Sequence, residues 1–129
     1  MLVLDLNKFK VINDSLGHLA GDAVLKATAQ HLRTCTREGD VVARLGGDEF
    51  VIVARRVTSE EMLRVIKKRI QQSIANNPAA HEGRQIPFSV SVGFSLQQGT
   101  SASVASLLEA ADQNLYEEKR SSQGLIPRA

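Results

Sequence analysis

The apolar positions of the chain follow two rhythms, one of strands and one of helices. Leu2-Val3-Leu4-Asp5-Leu6 is an apolar run broken by one carboxylate, the pattern of a buried strand ending on an acid. Phe9, Ile12 and Leu16 then recur at helical spacing and predict a short helix closed by Gly17. A second helix is predicted from near Leu19 or Ala20 to Cys35, with Val24, Leu25, Ala27, Thr28 and Leu32 on its inner face. The β-branched runs Val41-Val42-Ala43-Arg44-Leu45 and Phe50-Val51-Ile52-Val53 flank Gly46-Gly47-Asp48-Glu49 and predict a hairpin with glycines at its tip.

Thr58-Ser59-Glu60-Glu61 offers an N-cap and first-turn acids for a third helix. Its apolar set is Met62, Leu63, Val65, Ile66, Ile70 and Ile74, and Asn76-Asn77-Pro78 stops it. Residues 79–85 read as a polar loop. Residues 87–96 alternate, placing Phe88, Val90, Val92 and Phe94 on one face of a strand. Ser101 or Ser103 then caps a last helix with Val104, Leu107, Leu108, Ala111 and Leu115 inward, and residues 121–129 read as a frayed end or the start of a linker. Strands and helices mix without strict βαβ alternation. The fold class expected is therefore α+β, with helices on an antiparallel-rich sheet.

Composition narrows the function classes. A length of 129 residues and 43% apolar content describe one domain with a real core. The formal net charge of +2 comes from interleaved acids and bases, which suits a nucleotide pocket and gives no basic stripe for a nucleic acid polymer. Aromatic residues make up 4% of the chain and Trp is absent, which disfavours a stacking platform for single strands. Cys35 is the one cysteine, so an internal disulfide and a cysteine zinc cage are excluded, and a reducing cytoplasm is expected. No apolar run approaches membrane-spanning length, and no membrane contact by this domain is expected.

The candidate chemistry lies where acids meet glycines. Gly46 and Gly47 let the backbone turn and a ligand approach the main chain, and Asp48 and Glu49 follow at once, a combination that suits a divalent metal carrying a phosphate. If the first strand neighbours this hairpin, Asp5 and Asp48 converge. Magnesium needs only one or two protein carboxylates, since phosphates and water complete its octahedron. From position alone Asp5 reads equally as a cap for the next helix, and Glu49 as a second ligand or an exposed turn residue. Asn13, Asp14, Gly17, His18, Gly21 and Asp22 cluster between the first two helices. Asn with Asp suits a guanine edge, while helix-turn chemistry accounts for the same residues. Lys10 and Lys119 are candidate phosphate contacts, although a lysine late in a helix also answers its dipole. Arg37 with Asp40 suits a phosphorylated ligand or a solvated turn pair.

These blocks in this order resemble the GGDEF family of diguanylate cyclases: residues 5–14 (Asp-Leu-Asn-Lys-Phe-Lys-Val-Ile-Asn-Asp), Gly17-His18, Gly21-Asp22 and Arg44-Leu45-Gly46-Gly47-Asp48-Glu49-Phe50. Ala111-Asp112 and Leu115-Tyr116 before Lys119 extend the likeness over nearly the whole chain, giving a domain over 1–124 and a tail at 125–129. The resemblance implies a central, mostly antiparallel five-stranded sheet wrapped by helices, like the palm of nucleotide cyclases and polymerases. It implies that two GTP-loaded domains, meeting as a homodimer, make cyclic di-GMP and pyrophosphate. It implies that Asp5, Asp48 and the Leu6 carbonyl hold Mg²⁺ (or Mn²⁺), with Glu49 assisting and Asp48 or Glu49 helping to deprotonate the attacking hydroxyl. Asn13 and Asp22 would read guanine, Gly46 and Gly47 would leave room for ribose and α-phosphate, and Phe9, Lys10 and Lys119 would contact substrate. Arg37 and Asp40 match the family's RxxD site, where cyclic di-GMP would inhibit.

Three departures qualify the likeness. The family usually carries a helix and an Asp-x-Leu-Thr segment before the first strand, in which this chain begins; an incomplete nucleotide wall, an uncovered apolar face and poor activity of the chain alone are the expectations. Gln123 stands where the family commonly has a phosphate-binding Arg and Ser122 where it has Gly, with Arg120 as the nearby substitute. Asn7 replaces a frequent Asp, a change read as minor. The alternative function is a catalytically weak module that binds GTP or cyclic di-GMP and regulates an attached domain. Sensory or phosphodiesterase domains are the expected neighbours.

Overall fold

The computed structural model describes residues 1–97 and 103–124, with the backbone alone for 121–124. The elements run β1 (Leu2–Leu6), α1 (Phe9–Leu16), α2 (His18–Cys35), β2 (Val41–Gly46), β3 (Glu49–Val53), α3 (Glu60–Asn76), β4 (Ala79–His81), β5 (Arg84–Ile86), β6 (Val90–Phe94) and α4 (Val104–Gly124). The architecture is α+β. β1, buried at four of its five positions, takes an interior place in an antiparallel sheet ordered β2-β3-β1-β6. Four strands form this sheet among the described residues, not five. The remaining pairing is a separate hairpin, β4 with β5.

That hairpin falls in the stretch read as a polar loop. Its strands have three residues each, too short to show alternation, and its turn is Glu82-Gly83, both at positive φ. Other boundaries shift as well. α2 begins at His18, and β6 begins at Val90, three residues past Pro87. Ser59 caps α3, its hydroxyl accepting the Met62 N–H at 3.3 Å. Val65 and Val104 point to solvent rather than inward, at 50% and 72% exposure. Ser103 does cap α4, its hydroxyl accepting the Ser106 N–H at 3.1 Å; Ser101 and residues 125–129 lie outside the described residues.

Period-two alternation along β1 assigns its residues to two faces. Leu2, Leu4 and Leu6 join Phe50, Ile52, Val90 and Val92 in the main core, closed by Val24 and Leu32 of α2 and Leu63, Ile70 and Ile74 of α3. Val3 belongs to a smaller cluster on the opposite face, with Ala111 and Leu115 of α4. Asp5 shares that face with Val3, and so looks toward α4.

The contact between α4 and the sheet is made at a glycine. A Cβ on Gly93 would stand 2.3 Å from both the Ala111 carbonyl oxygen and the Leu115 nitrogen, so no other residue lets the helix lie this close. α4 and α3 also cover the free edge of β6, a site that bare strands leave open to pairing. Asn114 accepts the Phe94 N–H at 2.9 Å, Glu118 accepts the Val92 N–H at 3.3 Å, and Gln71 donates to the Val90 carbonyl at 3.3 Å.

Candidate active site

Strand register brings the acids together. Val3 lies between Val51 and Gly93 under α4; one step on, Asp5 lies between Glu49 and Ser91. The hairpin tip is fastened to the end of β1, where the Leu6 N–H donates to the Asp48 carbonyl at 3.1 Å. A register shift between Arg44 and Gly46 bends β2 at that tip. Gly46 and Gly47 take φ of +149° and +51°, which side-chain-bearing residues rarely adopt, and nothing stands within 4 Å where their side chains would be. Arg44 braces the turn, its guanidinium donating twice to the Gly47 carbonyl at 2.7 and 3.0 Å.

A cleft of about 840 Å³ opens beside these residues, and Asp5, Leu6, Phe9, Lys10, Asp48 and Lys119 all line it. From α4, the Lys119 ammonium reaches Oδ2 of Asp5. Oδ1 of the same carboxylate is buried without a hydrogen-bond partner. Burial, and then the neighbouring Asp5 charge, pushes the Asp48 carboxyl above its ordinary range, with Lys119 pulling the other way. Glu49 is raised as well, by burial and then by Asp5, Asp112 and Asp48. This is an acidic site short of positive charge.

The donor set fits a hard cation. Among the described residues no trio of His, Cys, Asp and Glu is arranged to hold a metal. Two carboxylates with one buried, unpartnered oxygen instead match an ion that takes its remaining ligands from phosphate and water. Such an ion would also neutralise the repulsion that raises Asp48.

The two proposed guanine readers lie apart from this cleft. Asn13 on α1 packs over Gly21 of α2, where a Cβ would stand 1.8 Å from its Oδ1, with the Phe9 ring beside it. Asp22 lines a different depression, of about 520 Å³, with Lys26, Gln30 and His81. Phe9 belongs to both neighbourhoods and joins the cleft to the α1–α2 pair.

Arg37 and Asp40 lie at the far end of the hairpin, in a pocket of about 140 Å³ that also includes Arg55, Arg56 and Arg69. Asp40 is occupied by its own backbone: its two oxygens accept the Arg37 and Arg55 N–H groups, each at 2.9 Å. Gln123 and Ser122 lie outside the described side chains, and the Arg120 guanidinium sits over the Tyr116 ring at 5.8 Å.

Several contributors are invisible in the sequence because their partners are distant along it. Asn7 is one: its amide donates to the Ser89 hydroxyl at 2.9 Å and accepts from Ser91 at 2.8 Å, tying the end of β1 to the approach of β6. Glu118 is another, held by Lys67 at 2.6 Å, by Gln71 at 3.2 Å and by the Val92 N–H. An acid one residue before Lys119 gives no sign of this clamp.

Among the described residues no helix is long and apolar enough to cross a membrane. The family model described as "Diguanylate cyclase, GGDEF domain" matches residues 1–124. Diguanylate cyclase DgcP of Pseudomonas aeruginosa is 42% identical over 95% of this chain and 18% of its own length. Cyclic di-GMP phosphodiesterase NbdA of the same organism is 38% identical over 92% of this chain and 15% of its own. The chain thus spans less than a fifth of either relative. The crystal structure of the GGDEF domain of PA1120 (YfiN or TpbB) from P. aeruginosa superposes with a TM-score of 0.87 at 38% identity, covering 93% of this chain and 74% of that one. With a family match over residues 1–124 and that fold, the chain belongs to the GGDEF family of diguanylate cyclase domains.

Proposed function

We propose that the chain is the catalytic domain of a diguanylate cyclase, which condenses two GTP into cyclic di-GMP and two pyrophosphates. The observation that carries this reading is the nearness of the Asp48 carboxyl, in the turn just before β3, to Asp5 at the end of the adjacent β1, with a buried Asp5 oxygen that no protein group satisfies.

In the proposed reaction each 3′-hydroxyl attacks the α-phosphorus of the GTP held by the other domain, and pyrophosphate leaves. In-line transfer of this kind depends on positioning and charge neutralisation. Asp5, Asp48 and the Leu6 carbonyl would hold Mg²⁺ or Mn²⁺. Once bound, that ion supplies charge for the phosphates and a lower pKa for the attacking hydroxyl. Asp48 or Glu49 takes the hydroxyl proton, a role supported by burial and neighbouring acids that make both carboxylates more basic than exposed ones. Lys10 and Lys119 pair with the β- and γ-phosphates, and Phe9 closes the cleft on the base side. Open space at Gly46 and Gly47 leaves room for ribose and α-phosphate. Asn13, beside Phe9, and Asp22, one residue after Gly21, read guanine from the α1–α2 pair. Arg37, with Asp40 holding its turn, binds cyclic di-GMP as inhibitor. The domain works as a homodimer in the cytoplasm, attached to sensory or phosphodiesterase domains.

The relationship to NbdA, named a phosphodiesterase, favours a second reading in which the domain binds GTP or cyclic di-GMP and regulates a neighbour. GTP and Mg²⁺ added to the full-length protein separate the two, with pyrophosphate and cyclic dinucleotide measured. Turnover abolished by Asp48→Ala supports the enzyme. GTP binding without turnover supports the regulatory module, and absence of binding to both GTP and cyclic di-GMP overturns both.

A further inference from the structure

Lys119 has two claims on it. Its ammonium sits on Oδ2 of Asp5, and it lines the same cleft as Lys10, where a triphosphate is proposed to lie. The pair is well sheltered, at 31% exposure for the lysine side chain and 19% for the aspartate, so solvent screens it only in part. Asp48 and Glu49, whose carboxyls both feel the Lys119 charge, add acids around that contact and help keep the ammonium in place. The helix behind it is fixed, at Gly93 by the backbone contact and one residue before Lys119 by the Glu118 clamp. Moving off Asp5 therefore requires only the flexible stem of the lysine.

We propose that Lys119 is the resident counter-ion of the Asp5–Asp48 site: without nucleotide it occupies Asp5 and excludes a divalent cation, and a triphosphate draws it away. The inference rests on the proposed cation site and assigns it an order of filling. A divalent ion arriving alone meets an ammonium on the same carboxylate and must displace it. A triphosphate supplies a stronger partner for the lysine and further ligands for the ion. Metal and nucleotide then bind with positive coupling, equal in both directions by linkage. The site stays neutralised when empty of substrate, and the cation is recruited when GTP arrives.

Mn²⁺ alone, titrated into the nucleotide-free 129-residue chain and followed by the paramagnetic resonance of the free ion, tests this. Lys119→Met is expected to bind Mn²⁺ roughly tenfold tighter than the parent, about 1.4 kcal/mol. Lys119→Arg, which keeps the charge, is expected to stay near the parent, and Lys119→Gln serves if the Met variant does not fold. With a non-hydrolysable GTP analogue present, the advantage of Lys119→Met is expected to disappear. If Mn²⁺ binding depends on Asp5, as shown by its loss in Asp5→Asn, yet Lys119→Met binds no tighter than the parent, the counter-ion inference is overturned and the cation site stands. Mn²⁺ binding that ignores Asp5→Asn in every background, with or without the analogue, overturns the site itself.

Discussion

Gly93 of β6 lies directly beneath Leu115 of α4, with the space for a Cβ only 2.3 Å from the Leu115 nitrogen and 2.6 Å from its Cα. Both are backbone atoms, so no rotamer change relieves a collision. Lys119 stands one helical turn beyond Leu115, and its reach to Asp5 depends on this contact. Gly93→Ala is expected to lower stability by about 1–3 kcal/mol, as overpacking does. It is also expected to weaken GTP binding, because α4 must lift. Urea unfolding and nucleotide titration check the two effects together.

The acid cluster sets a pH dependence. Asp48 and Glu49 have ordinary values of 3.8 and 4.5, and both are raised in the folded chain. From about pH 4 up through the raised values, the folded state holds more protons than the unfolded one, so metal-free stability falls as pH rises across that window. Asp48→Asn removes one source of the repulsion. It is expected to flatten the dependence and to raise the metal-free unfolding midpoint at neutral pH, while lowering turnover by about 10²-fold or more. Thermal unfolding at a series of pH values reads the first two; an unchanged slope contradicts the assignment.

Glu118 connects three elements, accepting from Lys67 and Gln71 of α3 and from the Val92 N–H of β6. Glu118→Ala leaves that half-buried N–H without its acceptor and is expected to cost about 1–3 kcal/mol. Glu118→Gln keeps one acceptor oxygen for the Val92 N–H while losing the ion pair and the oxygen that faces Gln71, so a smaller loss is expected. Denaturant midpoints for the two variants give the order; equal losses would place the whole effect on the charge.

The Arg37–Asp40 turn separates structure from recognition. Asp40 accepts two backbone N–H groups, one of them from Arg55 fifteen positions away. Asp40→Ala is therefore expected to lower stability by about 1–2 kcal/mol. Arg37→Ala is expected to leave stability unchanged and to abolish inhibition by cyclic di-GMP. Product inhibition curves and unfolding midpoints for both variants distinguish the roles.

Much of this site is legible in the sequence because it is carried by short contiguous blocks. The run Leu2–Leu6 reveals a strand with Asp5 at its end, and the glycines before Asp48 reveal the hairpin tip; adjacency of the two strands completes the pair. Contacts between side chains far apart in sequence leave no such trace. Asn7 looks like a minor substitution until Ser89 and Ser91 are seen to hold it, and Glu118 looks like surface charge until α3 packs against it. The β4–β5 hairpin escapes because its strands are too short for alternation to register. The fifth strand expected from the family resemblance is absent from the sheet that the described residues form.

The most direct test of a shared cation site is a crystal structure of the chain with a non-hydrolysable GTP analogue and Mn²⁺, the ion located by its anomalous scattering. One Mn²⁺ is expected in contact with both Asp5 and Asp48, with Lys119 turned from Asp5 onto the triphosphate. An ion bound away from that pair of carboxylates, or a nucleotide seated outside the cleft they line, would contradict it.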